Sequence, residues 1–440
     1  MVTRRDFLSG MCSTAALAMA STLYPGLSFA AARTDRRFAM VILRGGMDGM
    51  ASLIPYGDRN YKALRGELVI EDSALIKIDP FFALHPSLEP FADLYKAKEM
   101  IAIPASATPY RERSHFDAQN VLELGSTKPN ALRDGWVNRL VGAIDQRDES
   151  LGLAVGQGIP LALRGNTKVG SWAPSALPDI SDDYISLIQK VYKHDQIFAS
   201  AFNEALNIQD MTTDSMHGSN EKQMARQSRS PRGFTTMAQM AGKMLEQPNG
   251  PRIATLELGG WDTHANQGTE GGNMANTLDI FARGIETMKK EMKHSWQKTI
   301  IVAISEFGRT ARPNGNRGTD HGTAGTMFLF GGALKGGRIY HNWPGLASRD
   351  LYENRDIRPT IDVRGVTKGI LMDHFGLSDT ILRTSIYPDS ANIKPVHGRL
   401  EKIGRLKNNA LVILDYAHTP DALKTCLLNL KEQFPDKKII

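Results

Sequence analysis

The stretch from Thr299 to Gly325 constrains this chain more than any other. Ile300 to Ile304 is an unbroken run of apolar, mostly branched residues, the pattern of a strand buried on both faces. The run stops at Ser305-Glu306. A loop rich in Gly, Asn and Arg follows, then Asp320-His321-Gly322. A carboxylate therefore stands where a strand ends, and a carboxylate beside an imidazole waits on the next turn. In α/β proteins ligands gather beyond the carboxyl ends of the strands.

The same punctuation recurs upstream. Phe38 to Leu43 reads as a first buried strand, broken by Arg44-Gly45-Gly46-Met47-Asp48-Gly49. Asp48 is either a turn residue or a metal or anion ligand. Arg252 to Leu258 is another strand, ending in Gly259-Gly260-Trp261-Asp262-Thr263-His264. Residues two apart in an extended segment point the same way, so Asp262 and His264 can grip one cation. Asn273 to His294 is a long amphipathic helix between two of these strands. Strand, helix, strand with acids at the strand ends predicts a central, mostly parallel sheet flanked by helices. Further strands are expected at Glu99–Pro104 and Met327–Phe330. Helices are expected at 86–97, 114–124, 182–192, 195–207 and 235–245, and a polar loop at 209–232.

Three features bear on chemistry. Ser114 opens a helix after Arg111 and Arg113. It is either a plain N-cap or a serine placed to attack an anionic ester. Asp320 and His321 are adjacent and should diverge, each serving a different ion, or one binding while the other orients. Arg309, Arg312 and Arg317 either hold a substrate anion or sit on a solvated loop.

The net charge of +6 is spread over 440 residues, with no Lys/Arg block interleaved with aromatics, which argues against a nucleic-acid partner. The two cysteines, Cys12 and Cys426, both lie outside residues 33–397, so no disulfide framework supports that body. Thr3-Arg4-Arg5-Asp6-Phe7-Leu8 is a twin-arginine export signal. An Ala/Ser/Thr-rich apolar run and a small-x-small cleavage site, Ser28-Phe29-Ala30, follow it. Residues 1–32 are thus expected to engage the twin-arginine translocase and be removed. That leaves no stable membrane span and a periplasmic or secreted protein.

Together TRRDFL, LRGGMDG, LHPSL, RSHFDAQN, LGGWDTH, SEFGRT and GTDHGTAG resemble, in this order, an exported bacterial family of unknown function numbered 1501. That family is grouped with the alkaline phosphatase and sulfatase superfamily, and the resemblance covers about residues 3 to 397. It implies an alkaline-phosphatase-like α/β domain. It also implies two divalent ions (Zn, Mn, Mg or Ca) beside a Ser or Thr nucleophile, acting on phosphate or sulfate esters. Asp48, Ser114, Asp262, His264, Asp320 and His321 fall in the superfamily's order, with Arg44, Arg113 and Arg309 to steady the anion. The last superfamily His has no match; His341 and His374 are the nearest, and Glu306, His85 or His115 could substitute. That gap keeps a non-catalytic binding or structural role open.

From about 396 the chain changes character. Gly398-Arg399-Leu400-Glu401 and Asp415-Tyr416-Ala417-His418-Thr419-Pro420 resemble the start of the C-terminal domain of Mur ligases, the ATP-dependent amino-acid-adding enzymes of peptidoglycan synthesis. Their phosphate-cradling G-x-x-x-x-G-K-[ST] loop occurs nowhere in these 440 residues, so ligase activity from the tail is not expected. A cytosolic ligase segment behind an export signal points to a gene fusion, frameshift or assembly join near 396–400. A strand at Ala410–Leu414 and a helix at 420–434 are expected there.

Overall fold

A computed structural model describes residues 34–144, 151–174, 182–195, 233–396, the strands Glu401–Arg405 and Leu411–Leu414, and a few positions between 198 and 206. The expected export signal, the 209–232 loop, most of the 195–207 helix and the 420–434 helix lie outside the described residues.

Nine strands build the sheet: β1 (Arg37–Leu43), β2 (Met100–Ala107), β3 (Gly152–Val155), β4 (Gly170–Trp172), β5 (Ile253–Leu258), β6 (Thr299–Ser305), β7 (Gly325–Phe330), β8 (Arg338–Ile339) and β9 (Ile361–Asp362). Their order is β8-β2-β7-β6-β1-β5-β3-β4, with β9 also on β2. Every pairing is parallel except those of β7, which runs against β6 and β2. The short chain from Glu306 to Ala324 has no crossover helix, so β7 must return antiparallel.

The pleat divides the core. Ala39, Val41, Leu43, Ile301, Ala303, Phe328 and Phe330 face one side. Phe38, Met40, Ile42, Ile300, Val302, Ile304, Met327 and Leu329 face the other. Helices α1 (Glu89–Lys96), α5 (Gly233–Glu246) and α6 (Asn273–Met292) cover the first face; α3 (Trp136–Ile144) and α7 (Val363–Phe375) cover the second. Helix α2 (His115–Leu124) stands at the rim, and α4 (Asp182–Tyr192) matches its expected bounds. Leu43 pairs with both Leu258 and Ser305, so β1, β5 and β6 end level. That common rim is what gathers the chemistry. In the tail, Glu401–Arg405 pairs antiparallel with Leu411–Leu414. Among the described residues no helix is long and apolar enough to cross a membrane.

His374 lies in α7, buried, and its Nε2–H donates to the Arg37 carbonyl at 2.8 Å. Burial pushes its imidazole down to about 4, against the hydrogen bond that would raise it. An unfolded His takes its proton near about 6.5. Between these values the unfolded chain binds more protons, so the contribution is whole above about 6.5 and is lost as pH falls towards 4. The loss is at most about 1.4 kcal/mol per unit. We predict that denaturation midpoints fall across that window and that His374→Gln flattens the fall. An unchanged slope would remove His374 as its source.

Candidate metal centre

Three imidazoles and one carboxylate meet at the rim. His115 opens α2, after the end of β2; Asp262 and His264 follow β5; His321 precedes β7. The ligand atoms of His115, Asp262 and His321 all lie within 4.8 Å of one another. Asp262 Oδ1 is 2.9 Å from His264 Nε2 and 3.2 Å from His321 Nε2. Asp262 Oδ2 is 3.5 Å from His115 Nε2. Ligand atoms about 2.0–2.1 Å from a tetrahedral ion sit about 3.3 Å apart, so each imidazole stands at a ligand's spacing from Asp262, with His115, Asp262 and His321 the set whose atoms are all mutually close.

Each ring is held from behind by its other nitrogen. His115 Nδ1–H donates to Glu306 Oε1 at 2.7 Å, His264 Nδ1–H to Asp320 Oδ1 at 3.2 Å, and His321 Nδ1–H to the Arg113 carbonyl at 3.0 Å. With Nδ1 carrying the proton, Nε2 of a neutral ring is a lone pair. His264 Nε2 and His321 Nε2 then face each other at 2.9 Å, and two lone pairs at that distance repel unless positive charge lies between them. Buried His115 Nε2 has no hydrogen-bond partner. A carboxylate or carbonyl behind each imidazole is the usual support of metal-binding histidines.

The Glu306 hydrogen bond raises the His115 pKa, against burial. Burial would raise Glu306, but bonds from His115 and Gln119 outweigh it and hold the carboxyl low. Burial likewise opposes, and Arg309 overcomes, in lowering Asp262. The Asn314 amide lowers Asp320. Burial lowers His321.

Of the expected ligands, Asp262, His264 and His321 come together, with Asp320 orienting His264. His115, named in the sequence only as a substitute, stands among them. Glu306, also expected as a ligand, is instead turned inward. Its Oε1 accepts from His115, Gln119 and the Gly45 amide, its Oε2 from Ser305, and it is 1% exposed.

Asp48 does not reach the cluster. Its Oδ1 caps the short helix Gly49–Ser52, and its Oδ2 meets Arg65 Nη2 at 2.5 Å and Gln267 Nε2 at 2.8 Å. The Gln267 Oε1 then accepts from Thr263 and Thr319, and Thr319 accepts from Arg309. Arg309, expected to hold a substrate anion, is buried and donates to Asp262 Oδ1 at 2.7 Å and to Thr319. Arg113 pairs with Asp356 and Glu353, and Arg44 with Glu123 and Glu257, so both guanidiniums are already committed. His85 has both ring nitrogens bonded to its own surroundings, Thr269 and Ser87; His341 packs on Phe82. Ser114 caps α2 through its backbone alone: its side chain makes no cap bond, and Arg113 before it has φ +61°.

Glycines allow the close approach. A Cβ on Gly318 would lie 2.4 Å from the His264 carbonyl carbon, and one on Gly322 2.4 Å from the Arg309 carbonyl carbon.

The Asp48–Arg65 pair is 1–2% exposed on both sides. Removing one partner of such a pair strands a buried charge, at about 3–5 kcal/mol. We predict that Asp48→Ala loses that much in chemical denaturation while the protein that remains folded binds metal normally. Loss of metal with unchanged stability would return Asp48 to the ligand set.

The curated proteins that match do so through the tail. They are UDP-N-acetylmuramoyl-L-alanyl-D-glutamate–2,6-diaminopimelate ligases. That of Xanthomonas campestris pv. campestris is 43% identical over 47 residues, 11% of this chain and 10% of the ligase. That of Nitrosomonas europaea is 47% identical over 47 residues, 11% of this chain and 9% of the ligase. The chain therefore spans about a tenth of these relatives. Among solved structures, a protein in the alkaline phosphatase superfamily from Vibrio parahaemolyticus is 10% identical, covering 89% of this chain and 79% of that one at a TM-score of 0.39. The lipoteichoic acid synthase LtaP from Listeria monocytogenes is 10% identical, covering 92% and 93% at 0.37. The zinc complex of the C-terminal periplasmic domain of EcEptC from Escherichia coli is 10% identical, covering 68% and 73% at 0.33. Residues 398–440 match the Mur ligase glutamate ligase domain. Residues 35–386 match the model of a protein family of unknown function, DUF1501, and the chain belongs to that family.

Proposed function

We propose that this protein is an exported metal-dependent hydrolase of phosphate or sulfate esters, built on one divalent ion rather than two. The observation that carries the metal assignment is the convergence of three Nε2 atoms on Asp262 while each Nδ1 is tied down behind. A donor set of imidazoles with one carboxylate suits Zn²⁺ or Mn²⁺ better than Mg²⁺ or Ca²⁺, which prefer oxygen throughout. A bound ion supplies Lewis-acid polarisation of an ester oxygen.

The chain's own residues divide the remaining work. His115, His264, His321 and Asp262 hold the ion. Glu306, Asp320 and the Arg113 carbonyl keep the rings aimed. Arg309 keeps Asp262 ionised and oriented. Ser114, half-exposed beside His115 and making no side-chain cap bond, is the nucleophile. Export through the twin-arginine signal would carry the folded, loaded protein. The tail contributes no ligase chemistry, since the chain lacks the phosphate loop.

One observation favours a second reading, a metal-binding protein without turnover: Arg44, Arg113 and Arg309 are all paired internally. Metal analysis with 4-nitrophenyl phosphate and 4-nitrophenyl sulfate separates the two. The hydrolase reading expects one ion per chain and turnover. Asp262→Ala abolishes both, Ser114→Ala abolishes turnover alone, and Glu306→Gln weakens metal binding by about 10–100-fold. An ion bound without turnover on a broad ester panel selects the second reading. No bound ion contradicts both.

A further inference from the structure

Helix α2 presents two neighbouring faces at the rim. His115 and Gln119, one turn apart, both bond Glu306. Phe116, Gln119, Asn120 and Glu123 fall at i, i+3, i+4 and i+7 and wall a cleft of about 500 Å³. The 158–161 segment and Arg164 form the opposite wall, and Arg44 and Glu257 complete the lining. Phe116 directly follows the ligand His115 and is 88% exposed. An aromatic ring left this open beside a reactive centre is a ready contact surface for a ligand.

Its companions are polar and already fixed. Arg44 Nη1 donates to Gln119 and Glu123, each at 2.9 Å, and Arg44 Nε donates to Glu257 Oε1 at 2.7 Å. Asn120 exchanges two hydrogen bonds with Asn130. Arg164 Nε donates to the Ile159 carbonyl at 2.7 Å. Two arginines face two glutamates, so the cleft offers no net charge to a charged ligand.

We propose that this cleft binds an uncharged sugar ring, and hence that the site's substrates are phosphate or sulfate esters of saccharides. The second clause rests on the hydrolase reading; the first does not. The negative face of the Phe116 ring attracts the polarised C–H groups on one face of a pyranose. The ring hydroxyls exchange hydrogen bonds with the Nη groups of Arg164, which is held through Nε, and with Glu257, which is held through Oε1, so neither side chain loses much freedom on binding. An aryl or acyl group would strip water from those polar atoms and return nothing.

The test uses the zinc-loaded full chain and saturation-transfer NMR with methyl glucoside and methyl galactoside, with benzyl alcohol as the apolar control. We expect a saccharide signal that weakens about tenfold in affinity in Phe116→Ala and is retained in Phe116→Trp, with unchanged zinc content. No saccharide binding by the wild type, equal binding by Phe116→Ala, or tighter binding of benzyl alcohol overturns the proposal. Because this readout needs no turnover, it fails independently of the hydrolase reading, which the aryl ester assay judges.

Discussion

The interaction on which the site depends is the hydrogen bond from His115 Nδ1–H to Glu306. Glu306 is nearly inaccessible, and four donors from three parts of the chain surround its carboxylate: the Gly45 amide after β1, His115 and Gln119 on α2, and neighbouring Ser305. A buried carboxylate needs that many partners to stay ionised. In satisfying itself, it fixes the end of β1 against the end of β6 and sets the tautomer and direction of the His115 ring. The same device recurs twice, with Asp320 behind His264 and a backbone carbonyl behind His321. The Nε2 atoms of all three rings consequently turn towards the Asp262 carboxylate, His264 and His321 at Oδ1 and His115 at Oδ2.

A second network ties fold to site. From Asp48, whose other partners are the buried Arg65 and a helix start, hydrogen bonds run through Gln267 and Thr319 to Arg309 and Asp262. The segments that carry it are packed backbone to backbone. Gly308 and Gly322 exchange a hydrogen bond at 2.9 Å, as do Thr310 and Asp320. Such packing leaves the ring positions little slack, which is the preorganisation a metal centre needs.

The scaffold was legible because it is written in periodicity. The run Ile300–Ile304 and its counterpart in β1 are apolar on both faces, β5 is apolar on one face with Thr255 and Glu257 on the other, and acids and imidazoles stand past their ends. Asp262, His264 and His321 could therefore be placed at one rim. The reversal of β7 was not written there, because strand direction depends on loop length and pairing. Nor was the difference between holding an ion and holding the holder. Glu306 and Asp48 occupy strand-end positions like any ligand, and only their partners, Gln119 for the one and the buried Arg65 and Gln267 for the other, show which way each carboxylate turns. The arginines repeat the lesson, since Glu353 and Asp356, which pair with Arg113, lie more than 200 residues away. His115 stands beside Ser114 in the sequence, where the serine is the more conspicuous candidate for chemistry.

The central claim is one of tautomer and direction, so nitrogen NMR tests it most directly. With histidine labelled in both ring nitrogens and the protein loaded with cadmium-113, the account predicts one cadmium resonance. That resonance couples to the Nε2 atoms of His115, His264 and His321, each with a protonated Nδ1. Coupling through Nδ1, coupling to fewer than three rings, or no bound cadmium at all would contradict it.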